Sequence, residues 1–204
     1  MNAVEIVFVL FSVAVSMGLV LAGVRWFIDV EDRLRDGFLA IALVAYLVMV
    51  YVGSPNVWLS SGVVVLASVA FAMVMGSFNR SRGGVVVFLV TAAVVDWFSF
   101  SGGLTRWIID SGGAGNNMLL QYLTVAVLVG GRVRYLIGIG DLVISGAAGL
   151  SLFRLGYPAL RTSLVLVSAI LLAVLLGLVF GGVPALPVVA LVTGLYVSMQ
   201  PVER

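Results

Sequence analysis

Residues 118–129 read "MLLQYLTVAVLV", a dozen mostly apolar residues interrupted by Gln121 and Thr124. A helix needs roughly 20 apolar residues to cross the hydrocarbon core of a bilayer. This stretch is too short, so it is predicted to be re-entrant, interfacial or extended rather than a span. The decision matters beyond these residues. If 118–129 does not cross, the apolar segments on either side of it enter the membrane from the same face.

The chain as a whole belongs in lipid. Of its 204 residues 62% are hydrophobic and 10% charged, and its mean hydropathy is +1.23. No soluble core of this size hides that much apolar surface. Cysteine is absent, which excludes disulfides, thiolate metal sites and thiol catalysis. Histidine and lysine are absent too, so Ser-His and Ser-Lys nucleophiles and imidazole metal sites are excluded. Acid–base chemistry is left to carboxylates, and the sequence calls for no metal and no cofactor. A net charge of +2 with few polar stretches argues against a nucleic-acid partner.

Seven segments qualify as spans: 4–24, 38–52, 57–75, 85–100, 135–153, 163–180 and 183–199. Residues 1–83 form an N-terminal three-helix scaffold, and residues 84–204 carry the functional helices. Between the fourth and fifth spans, "LTRWIID" (104–110) reads as a short amphipathic interfacial helix anchored by Trp107. The charged stretch "VEDRLRDG" (30–37) reads as a solvated turn. In the seven-span topology eight arginines fall on one side and three on the other, which predicts the N-terminus outside and the C-terminus in the cytoplasm. An eighth span would reduce the split to seven against four. Glu5 stands where a cleaved signal peptide carries positive charge, so the first segment is expected to remain as a helix.

Two of the nine acidic residues, Asp96 and Asp141, lie within apolar segments. An ionised aspartate at mid-bilayer costs at least about 2.5 kcal/mol, so such residues face the protein interior and mark function, or else reach water or a polar partner. Asp96 is near the end of its span and Asp141 near the start of the next. With 118–129 not crossing, the two share one membrane level. Paired carboxylates in a low-dielectric site do not both ionise cheaply and share a proton. The charged member can then activate water while the protonated one polarises a carbonyl. Gly138 and Gly140, beside Asp141, suggest a close backbone approach.

"GIGDLVISG", Gly138 to Gly146, resembles the signature of the GxGD intramembrane aspartyl proteases, the presenilin and signal-peptide-peptidase family, and is closer to the signal-peptide-peptidase branch. That family places its first catalytic aspartate one span earlier, before aromatics, where this chain has "VVDWFSF" with Asp96. It also opens its last helix with Pro-Ala-Leu, matched here by Pro184, Ala185 and Leu186. The three elements occur in the family's order and cover roughly the C-terminal half. The usual tyrosine before the first aspartate is Val95, and seven spans stand where the family has nine, so two N-terminal helices are missing. A second Pro-Ala-Leu, Pro158 to Leu160, is placed in a loop.

The resemblance implies an all-α polytopic membrane protein of the prokaryotic plasma membrane. Asp96 and Asp141 would be catalytic, with Gly138, Gly140, Pro184, Ala185 and Leu186 supporting the site. Pro184 and Pro187 would keep the last helix irregular at its start. Substrates would be transmembrane-helix peptides or signal-peptide remnants, with the bilayer itself as the other partner; self-association stays open. Because a helix hides its scissile bonds, the substrate must unwind, and 118–129 is expected to accept it as an added strand. Three other readings use the same residues. Prepilin peptidases share G-x-G-D, although their motif continues to a lysine and here Leu142 and Val143 follow. A proton- or cation-coupled transporter could relay ions between the two aspartates. A non-catalytic subunit would pair them with Arg106 or Arg134.

Overall fold

A computed structural model describes all residues except 1, 31, 53–55, 104–121, 130–131, 181–182 and 201–204, and, of 129 and 132–136, the backbone alone. Among the described residues there are seven helices: α1 (Ala3–Trp26), α2 (Asp32–Val52), α3 (Val57–Gly76), α4 (Arg82–Gly102), α5 (Ile139–Arg154), α6 (Ala159–Phe180) and α7 (Ala185–Met199). Two strands, β1 (Thr124–Val129) and β2 (Arg132–Gly138), form an antiparallel hairpin between α4 and α5. Helices α1, α2, α3, α4 and α6 are long and apolar enough to cross a membrane. The molecule is a helical membrane protein.

Local signals set several boundaries. Asn2 begins α1 with a reciprocal cap: its side chain accepts from Glu5 N–H at 2.8 Å, and its own N–H donates to the Glu5 carboxylate at 3.2 Å. Asn56 caps α3 by accepting from Trp58 N–H, and Ser81 caps α4 by accepting from Gly84 N–H. Residues 32–37, expected as a turn, are instead the first turns of α2. Asp32 suits the positive helix end, and Arg35 reaches back to it at 2.7 Å.

Helix α5 is the centre of the bundle. It packs most extensively on α3 and also touches α1, α4, α6 and α7, so every residue from Ser145 to Leu152 is buried. Small residues permit this. A Cβ on Gly146 would stand 2.8 Å from Val20 and 2.9 Å from Ala72, and one on Gly76 would stand 2.8 Å from the Ala147 carbonyl. Helices α2 and α4 bury few residues and turn most of their apolar surface outward.

The expected span 135–153 is corrected at its start: residues 135–138 belong to β2, and the helix begins at Ile139. At 16 residues α5 is about 24 Å long, short of a bilayer core. Non-helical backbone at membrane depth is tolerated where protein covers it. Here Val125, Ala126, Val127 and Ile137 of the hairpin are buried against the bundle. Of the segment 118–129, residues 118–121 lie outside the described residues and 124–129 are β1. The amphipathic piece 104–110, with Trp107 and Arg106, also lies outside them.

Candidate functional site

The end of α4 and the start of α5 are brought to one end of the bundle, with the start of α7 beside them. Asp96, partly buried, lies less than two turns from the end of α4. Asp141, also partly buried, is in the first turn of α5. The two helices that carry them pack against one another. Among the described residues neither makes an ion pair; Arg106 and the side chain of Arg134 are outside that set.

Each carboxylate is also held by a helix N-terminus. Pro184 is the extended residue before α7, with φ −62° and ψ 133°, and is buried. Ala185 and Leu186 are therefore the first two helical residues, whose N–H groups have no partner in their own helix. Leu186 N–H donates to Oδ2 of Asp96 at 3.0 Å. Pro187, next in line, lacks an N–H at a position where none is needed, so α7 runs regularly from Ala185 and the expected irregular start is not observed. At α5, Gly138 N–H donates to Oδ2 of Asp141 at 3.3 Å. Both acids thus meet the positive ends of helix dipoles.

Among the described residues no neighbouring helix lies against Gly138 or Gly140: a Cβ on Gly140 would meet nothing within 4 Å, and one on Gly138 would come nearest the Asp141 carboxylate, at 3.3 Å. The close approaches on this helix occur further along, at Gly146, which faces α1 and α3, and at Gly149, which faces α1 and α6.

Two features had no signal strong enough to be found in the sequence. Ser61, in the first turns of α3, donates its hydroxyl to the Ala126 carbonyl at 2.8 Å and accepts from Ala126 N–H at 2.9 Å. It therefore satisfies both backbone groups of Ala126 in β1. The partner strand β2 leads directly into Gly138 and Asp141. The second feature is an apolar groove of about 630 Å³ between α4 and α7, lined by Val94, Trp97 and Phe98 on one side and Pro187, Leu191 and Gly194 on the other. Its residues flank the Asp96–Leu186 contact in both helices.

Comparison with family models, with curated proteins and with solved structures returns no match to this chain.

Proposed function

We propose that the protein is an intramembrane aspartyl protease that hydrolyses peptide bonds of transmembrane helices with Asp96 and Asp141. The observation that carries this reading is the placement of two intramembrane carboxylates at the same end of two helices that pack against one another, with no ion pair to either among the described residues. Unpaired acids at membrane depth are costly to keep and mark chemistry. Two acids with one proton between them supply what hydrolysis of an amide needs. The ionised carboxylate takes a proton from water as it attacks the carbonyl carbon. The protonated one donates to the carbonyl oxygen; as the resulting gem-diol collapses it takes a proton back from a diol hydroxyl, and the first carboxyl gives the proton it took from water to the leaving amine.

The surroundings suit a substrate that arrives through lipid. The α4–α7 groove is apolar and ends beside Asp96, so a helix lying in it keeps its side chains away from water. Its scissile segment must unwind, and unwound backbone needs partners. The β1–β2 hairpin, whose second strand runs into Gly138 and Asp141, would take the unwound substrate as an added strand.

The test is cleavage of a transmembrane-helix peptide by the purified chain in detergent or bilayer discs. Asp96→Asn and Asp141→Asn each leave the fold intact and are expected to reduce cleavage on the order of a thousand-fold. Cleavage that survives in either variant sinks the proposal. Proton or cation flux that disappears in both variants, from a wild-type chain that cuts nothing, would assign the same pair to transport instead.

A further inference from the structure

At the opposite end of the bundle, α1, α2, α3 and α5 enclose a second cavity, of about 240 Å³. Asp141 and Arg154 stand at the two ends of α5, about 20 Å apart along its axis. The cavity floor is apolar, built by Phe27, Leu39, Met73 and Leu150, and its mouth carries Arg154, Asp36 and Arg35.

The charges at the mouth are of both signs and differently engaged. Arg35 bonds Asp32 at 2.7 Å and stands 3.8 Å from Asp36, so Asp36 keeps acceptor capacity. Arg154 has no carboxylate partner among the described residues. The charged residues of the lining are Arg35, Asp36 and Arg154. A purely anionic ligand leaves Asp36 unmatched, and a purely apolar one leaves both Arg154 and Asp36 unused. A ligand with a phosphate and an ammonium a few ångströms apart matches both: guanidinium recognises phosphate through forked hydrogen bonds, and a carboxylate recognises the amine. The volume equals that of about eight liquid waters, enough for a headgroup and glycerol. Acyl chains continue along the outward face of α2, where Leu43, Leu47 and Val48 are exposed.

We propose that this cavity binds a phospholipid with a zwitterionic, amine-bearing headgroup, its phosphate on Arg154 and its ammonium on Asp36. The site is independent of the chemistry at Asp96 and Asp141.

The test is native mass spectrometry of the full chain released from micelles doped with phosphatidylethanolamine, phosphatidylcholine or phosphatidylglycerol, with free phosphoethanolamine as a lipid-free arm. Phosphatidylethanolamine is expected to be retained about ten-fold over the other two lipids and over free phosphoethanolamine. Arg154→Gln and Asp36→Asn are each expected to abolish that preference, with the circular dichroism unchanged. Leu39→Trp fills the floor without altering charge and is expected to expel the lipid. Equal or stronger retention of phosphatidylglycerol, equal binding of free phosphoethanolamine, or an unaltered preference in Arg154→Gln would each overturn the assignment.

Discussion

The backbone N–H of Leu186 donates to the Asp96 carboxylate at 3.0 Å, so a side chain of α4 caps the start of α7. Asp96 therefore has a structural duty as well as the proposed chemical one, and the two separate by substitution. Asparagine keeps an acceptor oxygen for Leu186 and alanine does not. Asp96→Ala is expected to lose about 1 kcal/mol of stability relative to Asp96→Asn, while both abolish cleavage. Thermal unfolding in detergent measures the first effect. Equal stabilities would show that the cap contributes nothing.

Glycines of the same motif are expected to behave oppositely. A methyl on Gly146 would stand 2.8 Å from Val20 and 2.9 Å from Ala72, both short and stiff, in a helix enclosed on all sides. Gly146→Ala should cost about 1–3 kcal/mol through overpacking. At Gly140 a methyl meets open space, so Gly140→Ala should be neutral or slightly stabilising. Unfolding midpoints of the two variants check this. A loss of cleavage in a fully stable Gly140→Ala protein would place substrate against that position.

What the sequence made legible, and what it did not, follows from the range of the interactions. The short length of 118–129 was readable because bilayer thickness sets a fixed requirement, and β1 now occupies its second half. Helix starts at Asn2, Asn56 and Ser81 are local, settled within three residues. The shared end of the bundle for Asp96 and Asp141 followed from topology once that segment was taken not to cross, whereas Leu186 entered only through the family resemblance. The start of α5 was misplaced because "YLIG" is as apolar as the helix it precedes, and in lipid a buried strand and a buried helix carry the same hydrophobic signal. The tight contact of Gly146 was not legible because spacing along a chain does not reveal which face meets a neighbour. Ser61 lies 65 residues from its partner Ala126, and no pattern in one sequence links them.

That Ser61–Ala126 pair is the hairpin's attachment to α3. One hydroxyl satisfies both backbone groups of a buried strand residue. Ser61→Ala leaves an N–H and a carbonyl unpaired, at about 1–3 kcal/mol each. The hairpin is expected to loosen ahead of the bundle. Hydrogen exchange should show faster exchange in residues 124–129 with little change in α5 and α6, and cleavage should fall if β2 guides the substrate. Unchanged protection at Ala126 would show that Ser61 is not the anchor.

The groove between α4 and α7 supplies a test of substrate entry that leaves the dyad untouched. Gly194 lies on its wall, seven residues along α7 from the Pro187 that borders the Asp96 contact, and a Cβ there meets nothing within 4 Å. Gly194→Leu fills the groove with a side chain that fits and favours the helix. If a substrate helix lies there before it is cut, the variant should raise KM for a transmembrane peptide about ten-fold, equivalent to about 1.4 kcal/mol of binding. The turnover of a short peptide spanning only the scissile segment should hold, because that peptide reaches Asp96 and Asp141 without the groove. An unfolding temperature at or above wild type separates this outcome from damage to the fold. Equal KM values for the two proteins on the transmembrane peptide would mean that substrate reaches the two aspartates by another side of the bundle.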